Sequence, residues 1–523
     1  MSIPSCIPLP TPYEMALWDQ ETISDFGLRQ EVLMECAGRG CFDTLTEQFE
    51  SLEGLRALVL AGSGNNGGDA FVIARLLADA GALVSVIHTG RKKRYRGAAA
   101  TNLRLAQRMG LPMTYLSGPN LTEMTSELGT PDIIIDGLLG TGFTGELRGN
   151  AQHWINAING LGQEAYVLAV DIPSGLNGEN GRPQPVAVMA DCTVTFHAPK
   201  LGLLMPGADV WTGEIIVHPI GIPGFIERSA PPTCALLTHG VGILAPLPDE
   251  AMHKGHAGHV LVMGGSPGLT GAPLLAALGA LRAGAGLTTV ACPRGLAMEI
   301  KAGVPEVMTL PLGKGDAWMA PMADDLLHHI AKFSALSLGP GIGRDERTLE
   351  FLDALLEQEL PPLVLDADGL YWLAEQPELL GPNAPQTILT PHPGEMARLL
   401  GRSTADIQAN RLQAAREAAD TYGAITILKG AGTVIAQPGG QAWLSPFSSP
   451  NLAVAGSGDV LSGLLSAMLA QDLTPLEAAC LGVYWHGLAG ERLANDYPLR
   501  GNLAGDIALE LPQTLEELID ADS

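Results

Sequence analysis

Long apolar runs and basic residues are both scarce in this 523-residue sequence. No stretch reaches the roughly 18 uninterrupted apolar residues of a transmembrane helix, and the start, MSIPSCIPLPTPYEM, lacks the regions of a signal peptide. Only 30 Lys and Arg residues stand against 56 Asp and Glu residues, which gives a net charge of −26. Because such a surface repels a nucleic-acid backbone and an anionic membrane, we expect neither as a partner.

The seven cysteines are an odd number and show no spacing typical of a disulfide framework or a zinc site. We therefore expect reduced thiols and a cytoplasmic protein. The hydrophobic content of 46 % is too high for a disordered chain, so we expect folded domains with a large core. Its length exceeds one ordinary domain, so two or three domains are expected.

Strand-like and helix-like segments alternate along the first half. LRALVLAG predicts a buried strand, AFVIARLLADAGA a helix and LVSVIHTG the next strand. This alternation predicts a parallel, doubly wound sheet. Asp69, Asp136 and Asp171 follow predicted strands, so we expect them outside the carboxyl ends of the strands, where ligands bind.

A Pro- and Gly-rich stretch interrupts this alternation, which resumes at HVLVMGGSPGLTGAPLLAALG. We predict an N-terminal domain over residues 1–225, a linker over 226–250 and a C-terminal domain over 251–523. The predicted fold class is α/β with two domains. The glycines and prolines, 64 and 38 in number, follow no fixed period, which excludes a collagen-like or low-complexity chain.

The first glycine loop, AGSGNNGGDA at 61–70, has the G-x-G-x-x-G spacing of dinucleotide-binding folds. The acidic residue that such folds place about 20 residues further on, to hold a ribose, is missing. Asn66, Asp136 and Ser174 instead offer oxygen ligands of the kind that K⁺ or Ca²⁺ accepts. Asp171, in VDIPSGLNG, is a candidate acid or base. Taken singly, Asp136 and Asp171 are equally consistent with carboxylates that cap turns.

The second glycine loop, AVAGSGDVLSG at 453–463, runs into a helix-like segment. Amides at a helix N-terminus suit a phosphate anion, and Asp459 beside them could take a proton from an attacking hydroxyl. Lys429, in KGAGT, offers a point charge to a nucleotide phosphate. The alternative is that Asp459 only caps the helix. The accompanying loops GGSPGLTGA, GPGIG and KGAGT favour the phosphate interpretation.

Motifs of the first half resemble the N-terminal domain of the bifunctional NAD(P)H-hydrate repair enzymes; these are PYEMALWDQ, LMECAGRG, GSGNNGGDAFVIARLL, IDGLLGTGFTGELRG and VDIPSGLNGENG. The resemblance covers most of residues 10–220. It implies a Rossmann-like domain that epimerises hydrated NADH and NADPH, with K⁺ held by Asn66, Asp136 and Ser174 and with Asp171 as acid or base. The implied substrate site comprises Asn65, Asn66, Gly67, Gly68, Asp69, Gly140, Thr141, Gly142, Phe143, Thr144, Gly145, Glu146 and Asp171.

Motifs of the second half resemble the ribokinase-like superfamily and, within it, the ADP-dependent NAD(P)H-hydrate dehydratases; these include LGPGIG, VLDADGL, LTPHPGEMARLL and LKGAGTVI. The resemblance covers residues 253–510 and implies a ribokinase-like α/β domain that uses ADP with Mg²⁺, with Asp459 as base. The implied contacts to the hydrated cofactor are Ala272, Gly341, His392 and Asp459. Those implied for the nucleotide are Lys429, Gly430, Ala431, Gly432, Thr433 and Gly458.

Together the two resemblances imply an isomerase fused to a lyase. The first would interconvert the R and S hydrates, and the second would dehydrate the S form with ADP, giving AMP and phosphate. Assembly into a homo-oligomer is also expected. The alternative is a ribokinase-like small-molecule kinase fused to a non-catalytic nucleotide-binding domain. The product distinguishes the two, because a kinase leaves a stable phosphomonoester whereas the dehydratase releases phosphate.

Overall fold

A computed structural model describes residues 3–126, 129–143, 145–248 and 253–520 of the protein. The chain divides into two compact units, Pro8–Cys234 and Met1–Ile7 with Ala235–Ser523. The division falls inside the stretch 226–250, which also contains the end of one helix and a short strand. None of the described helices is both long enough and apolar enough to cross a membrane.

The strands in chain order are β1 (Ile7–Pro8), β2 (Arg56–Ala61), β3 (Leu83–His88), β4 (Met113–Tyr115), β5 (Ile133–Gly137), β6 (Tyr166–Val170), β7 (Cys192–Phe196), β8 (Glu214–His218), β9 (Cys234–Leu236), β10 (His259–Met263), β11 (Leu287–Pro293), β12 (Met308–Leu312), β13 (Ala335–Leu338), β14 (Leu363–Leu365), β15 (Thr387–Leu389), β16 (Ile425–Leu428), β17 (Val434–Ala436) and β18 (Ala442–Leu444). The α-helices are α1 (Pro12–Ser24), α2 (Gln30–Gln48), α3 (Asn65–Asp79), α4 (Gly97–Arg108), α5 (Leu121–Ser126), α6 (Ala151–Leu161), α7 (Asp209–Thr212), α8 (Gly224–Ser229), α9 (Gly271–Arg282), α10 (Ala297–Lys301), α11 (Pro321–Leu327), α12 (Glu346–Leu356), α13 (Asp368–Glu375), α14 (Pro393–Leu399), α15 (Thr404–Ala409), α16 (Arg411–Tyr422), α17 (Ser457–Ala470), α18 (Pro475–Arg492) and α19 (Ala504–Asp520).

The Pro8–Cys234 unit is built on a parallel sheet of order β4-β3-β2-β5-β6-β7-β8. Successive side chains of a strand point to opposite faces, so a strand in a doubly covered sheet must be apolar throughout. In β5, Ile133 and Ile135 pack into one hydrophobic core whereas Ile134 packs into the other. The strand order reverses between β2 and β5, and the loops after these two strands border the crevice that such a reversal creates.

The Ala235–Ser523 unit contains a larger sheet of order β1-β9-β18-β17-β16-β15-β14-β13-β10-β11-β12. In sheet order, the strands from β12 to β16 run parallel, β17 is antiparallel to β16, and β18 is antiparallel to β17. The predicted fold class, α/β with two domains and a doubly wound parallel sheet in the first, is confirmed.

Helix α17, which begins at Ser457 inside the second glycine-rich segment, packs closely against α9. A Cβ atom on Gly463 would lie 1.8 Å from the carbonyl oxygen of Ala276, and one on Gly279 would lie 2.4 Å from that of Val460. Such distances are far below van der Waals contact, so both positions require glycine for the two backbones to approach. This close approach fixes the position of the N-terminus of α17, where Asp459 lies.

Candidate active sites

The Pro8–Cys234 unit contains a cavity of about 550 Å³ at the point where its strand order reverses. Residues from the ends of β2, β5 and β6 line it together with side chains of α1, α2 and α3. Of the residues implied by the resemblance, those lining the cavity are Asn65, Asn66, Asp69, Gly140, Thr141, Gly142, Phe143 and Asp171. The geometry thus gathers most of the predicted substrate site around one space.

Asp171 occupies the turn after β6 with a φ of 65°, a left-handed conformation that a non-glycine residue rarely adopts. Its Oδ1 accepts a hydrogen bond from the ammonium of Lys200, and further bonds from Thr195 Oγ1 at 3.2 Å and Phe196 N at 3.3 Å. Lys200 is almost fully buried and also donates to Thr195 Oγ1 and to the Phe196 carbonyl. The carboxylate is therefore held in one orientation at the cavity wall.

Two further carboxyl groups, those of Asp19 and Asp69, line the same cavity. Burial raises the pKa of Asp19 to about 6, with Lys200 opposing the rise and Asp171 adding to it. Burial, followed by repulsion from Asp171 and Asp19, raises the pKa of Asp69 well above its usual range. The site thus combines carboxyl groups of different proton affinity around one ammonium, an arrangement suited to proton transfer.

The turn after β5 joins the three residues predicted to bind a cation. Asn66 Nδ2 donates to the carbonyl of Leu139 at 3.0 Å, and the amide of Leu139 donates to Ser174 Oγ at 2.8 Å. Ser174 Oγ in turn donates to Asp136 Oδ1 at 2.6 Å. Asn66 Oδ1 is buried and has no hydrogen-bond partner within the described part of the chain. An orphaned amide oxygen near a hydroxyl and a carboxylate fits a K⁺ ion.

Some predicted residues of this site have other surroundings. A Cβ atom on Gly67 would lie 2.0 Å from the carbonyl oxygen of Gly62, and one on Gly68 would touch the Met34 side chain, so both glycines serve close packing. Gly145 and Glu146 are not among the residues that line the cavity. Thr144 lies outside the described residues.

The structure also shifts the start of helix α3. The glycine spacing predicts a loop for Asn65, Asn66 and Asp69, but α3 begins at Asn65 with Gly64 as its N-cap. The glycine pair 67–68 is tolerated in the first turns because both residues are buried against neighbouring backbone and side chains. The loop prediction for these three residues was wrong.

The Ala235–Ser523 unit has its own cavity, of about 570 Å³. It is bordered by the loop between β16 and β17, by the segment before α17 and by the N-terminus of α17 itself. The residues implied by the resemblance that line it are His392, Lys429, Gly430, Ala431, Thr433, Gly458 and Asp459.

Asp459 lies in the first turn of α17, whose N-cap is Gly456 in a left-handed conformation with a φ of 92°. Asp459 is thus not the N-cap residue, which removes the alternative that it only caps the helix. Burial, reinforced by the negative charge of Asp366, raises its pKa to about 7. A carboxyl group with that pKa is poised to accept or release a proton near neutral pH.

Lys429 extends from the end of β16 toward the helix N-terminus. Its Nζ donates to Asp366 Oδ1 at 2.8 Å, and Ser462 Oγ donates to the other oxygen of the same carboxylate. Burial alone would raise the pKa of Asp366, but the Lys429 ammonium and the hydroxyl donors hold it below its ordinary value. A Cβ atom on Gly458 would lie 3.1 Å from Lys429 Nζ, so glycine leaves room for the ammonium at the head of α17.

His392 is the N-cap of α14 and lies at the wall of the same cavity. Its Nδ1 accepts hydrogen bonds from the amides of Gly394 and Glu395, at 3.0 and 3.2 Å. Burial, followed by the positive charge of Lys429, lowers its pKa, so the ring is neutral near pH 7. Nδ1 of the imidazole thus caps the helix, and Nε2 lies 3.4 Å from Oε1 of Glu395.

Comparison with known proteins follows the same division of the chain. A family model described as NAD(P)H-hydrate dehydratase matches residues 260–513, and one described as YjeF-related protein N-terminus matches residues 30–202. A bifunctional NAD(P)H-hydrate repair enzyme from Moorella thermoacetica is 41 % identical, covering 98 % of this chain and 97 % of that protein. The chain belongs to the bifunctional NAD(P)H-hydrate repair enzyme family. The resemblance inferred from the sequence is confirmed, and with it the prediction that the chain is an enzyme.

A second relative agrees with the match, and a solved structure is similar to part of the chain. A bifunctional NAD(P)H-hydrate repair enzyme from Coxiella burnetii is 38 % identical over 92 % of this chain and 94 % of that protein. A solved structure of an ADP/ATP-dependent NAD(P)H-hydrate dehydratase from Bacillus subtilis, co-crystallised with ATP and Mg²⁺, is 28 % identical. It covers 54 % of this chain and 97 % of that chain, with a TM-score of 0.45.

Three predicted contacts of this repair enzyme do not line the 570 Å³ cavity: Ala272, Gly341 and Gly432. Ala272 and Gly341 are neighbours, since a Cβ atom on Gly341 would lie 3.3 Å from Ala272 Cβ. Gly432 holds the loop to its surroundings through a bond from its amide to the Phe447 carbonyl at 3.3 Å.

No role was predicted from the sequence for Asp19, Asp366, Glu395 and His486, which line the two cavities, or for Lys200, which donates a hydrogen bond to the cavity residue Asp171. Asp19 and Asp366 lie in motifs that carry the resemblance, PYEMALWDQ and VLDADGL. A carboxylate within an apolar segment could therefore have identified each of them as a candidate site residue. Lys200 is a lone cation after an apolar strand and could have been found in the same way. His486, inside an apolar helix, offered no signal that separates it from an ordinary core residue.

Proposed function

We propose that the two units catalyse consecutive steps in the repair of hydrated NADH and NADPH. The Pro8–Cys234 unit interconverts the R and S epimers, and the Ala235–Ser523 unit dehydrates the S form with ADP. The observation that carries this proposal is that each unit holds its own cavity, with Asp171 at the wall of the first and Asp459 at the wall of the second. A kinase fused to a non-catalytic nucleotide-binding domain would have no need of an acid or base held at the wall of the first cavity.

In the dehydratase site, Asp459 takes the proton of the ring hydroxyl, and the hydroxyl oxygen attacks the terminal phosphorus of ADP. The bond to the bridging oxygen breaks and AMP leaves. The carbon–oxygen bond of the ring phosphate then breaks, phosphate leaves with the bonding electrons, and the neighbouring ring carbon loses a proton. The ring double bond forms again, and the products are reduced nicotinamide cofactor, AMP and phosphate.

Positive charge for this transfer comes from Lys429 and from the free amides at the start of α17. Lys429 stays protonated because Asp366, and less strongly Glu395 and Asp459, offset the effect of burial and raise its pKa. Within the described residues, no cluster of three or more His, Cys, Asp or Glu could hold a metal ion. Mg²⁺ would therefore be held chiefly by the nucleotide phosphates, whose charge it would partly neutralise.

In the epimerase site, Asp171 serves as the acid or base, and the hydrogen bond from Lys200 holds its carboxyl group in place. The orphaned oxygen of Asn66, with Asp136 and Ser174, supports K⁺ binding. Bound there, K⁺ would supply a fixed positive charge beside the substrate cavity. Asn65 and the segment Gly140–Phe143 line that cavity and would contact the hydrated cofactor.

The test is an assay that follows the 340 nm absorbance of reduced nicotinamide and released phosphate together. Asp459→Asn should abolish dehydration of the S hydrate with ADP while epimerisation continues. Asp171→Ala should do the reverse and leave the R hydrate unconverted beyond its spontaneous rate. A stable phosphomonoester from the wild type, with no gain in absorbance, would instead identify a kinase.

A further inference from the structure

The side chain of Arg411, at the start of α16, is only 4 % exposed and lies behind the loop Lys429–Thr433. One of its terminal nitrogens donates to the carbonyl oxygens of Leu428 at 3.0 Å, Lys429 at 3.2 Å and Gly432 at 3.3 Å. The other donates to Gln408 Oε1 at 2.7 Å. Burial lowers the pKa of Arg411 to about 10, and no carboxylate in the described part of the chain offsets that effect.

Burying a guanidinium without a carboxylate partner costs free energy. A neutral hydrogen-bond donor could hold the loop in place at a lower desolvation cost. The effect of Arg411 on the direction of the loop amides offers a reason for the charge. In a planar trans peptide, the C=O and the following N–H point in opposite directions. With the carbonyls of Lys429 and Gly432 turned toward Arg411, the amides of Gly430 and Thr433 turn away from it.

Gly430 and Thr433 both line the 570 Å³ cavity, on the side that also holds Lys429. Gly430 has a φ of 129°, and a Cβ atom there would lie 3.3 Å from Arg411. The loop therefore combines outward amides, a left-handed glycine and an ammonium, which is how backbone anion sites are commonly built.

We propose that Arg411 is a positioning residue that orients the amides of this loop toward the phosphates of the nucleotide. The proposal rests on the dehydratase function proposed above. Arg411 touches no substrate itself and acts through the three carbonyls. The anionic ligand it serves is a nucleoside diphosphate, which must bind against the net charge of −26 of the whole chain and so depends on locally arranged donors.

The test compares Arg411→Met with Arg411→Lys in the full chain, with Arg402→Met as the matched control. Arg402 pairs with Glu417 on the surface of the same unit. Arg411→Met should raise the KM for ADP about tenfold, as expected for a lost charge-assisted set of hydrogen bonds, and should leave kcat and the KM for the S hydrate within about twofold. Arg411→Lys should give a smaller rise, since one ammonium cannot reproduce the planar fork.

An Arg411→Met protein with an unchanged KM for ADP overturns the proposal, as does an equal rise in both KM values. If Arg411→Met fails to fold, Arg411→Lys decides: its KM for ADP must rise about threefold, and an unchanged value overturns the proposal. Epimerisation in the same chain reports whether the protein is otherwise intact. If the wild type does not dehydrate the hydrate with ADP, the proposed function fails. The role of Arg411 is then tested by direct titration with ADP, in which Arg411→Met should bind ADP more weakly than the wild type.

Discussion

Lys429 Nζ lies 2.8 Å from Asp366 Oδ1, although the two residues are 63 positions apart in the chain. The carboxylate belongs to the turn after β14 and the ammonium to the end of β16, so the parallel pairing of β14, β15 and β16 brings them together. The Asp366 side chain is almost fully buried, and the Lys429 side chain is only slightly exposed. Each partner thereby keeps the other ionised at the wall of the dehydratase cavity.

Asp366→Asn should lower the free energy of unfolding of this unit by about 3 kcal/mol, because it leaves the Lys429 ammonium without its counter-charge. Thermal unfolding of the full chain measures the change. The matched control is Glu417→Gln, which breaks the exposed pair with Arg402 and should cost less than about 1 kcal/mol. An equal loss of unfolding free energy in the two variants would show that the buried pair stabilises the unit no more than the exposed pair does.

Dehydration should gain rate with rising pH through a midpoint near 7. The pKa of Asp459 is raised to about 7, and only its ionised form can take the hydroxyl proton, so activity is lost below that pH and levels off above it. A pH profile of kcat/KM for the S hydrate measures this. The pKa of Glu395 is also raised to about 7, so Glu395→Gln is the control and should leave the midpoint in place. A midpoint that disappears in Glu395→Gln would reassign the base.

Lys200→Met should abolish epimerisation and destabilise the Pro8–Cys234 unit by about 3 kcal/mol, because Asp171 and Asp19 lose the cation that offsets their charge. The measurement is conversion of the R hydrate together with thermal unfolding. Dehydration of the S hydrate should persist in this variant. Lys92→Met removes an exposed lysine from the same unit and should change neither quantity. Near-normal epimerisation by Lys200→Met would contradict the role of the buried ammonium.

Gly458→Ala should raise the KM for ADP, since its Cβ would lie 3.1 Å from Lys429 Nζ and displace the ammonium from the head of α17. Steric displacement of this kind costs about 1–3 kcal/mol, so a rise of at least about fivefold is expected. The control is Gly505→Ala in α19, where a Cβ meets no atom within 4 Å. Comparable KM values for the two variants would count against the phosphate role of this helix end.

Epimerisation should depend on K⁺, and dehydration of the S hydrate should depend on it far less. Replacing K⁺ with choline removes a cation small enough for the oxygens of Asn66, Asp136 and Ser174, so the epimerisation rate should fall. Titration of K⁺ against that rate gives the apparent affinity. Asn66→Leu should weaken it about tenfold or more, because the orphaned oxygen is lost. An epimerisation rate that does not depend on the K⁺ concentration would contradict the proposed K⁺ site.

Local sequence predicted the α/β fold and the two glycine-rich segments that border the cavities, because strand-like periodicity, glycine spacing and helix signals act over a few residues. It failed at the start of α3, where buried packing of Gly67 and Gly68 carries the helix back to Asn65. The cofactor contacts expected of Ala272 and Gly341 stay predictions, and neither residue lines the cavity that contains Asp459. The glycine spacing alone does not say which loop borders which cavity.

The amino-acid sequence alone identifies two aspartates in glycine-rich segments, a candidate phosphate-binding lysine for the second and candidate oxygen ligands for the first. The charged neighbours of these groups come from the tertiary structure. Asp171 accepts a hydrogen bond from Lys200, which is 29 positions away in the chain. The negative charge of Asp366, which follows a strand of the sheet, helps to raise the pKa of Asp459. Proton affinity depends on burial and on charges within a few ångströms, and strand pairing brings those charges together over distances that no local pattern spans.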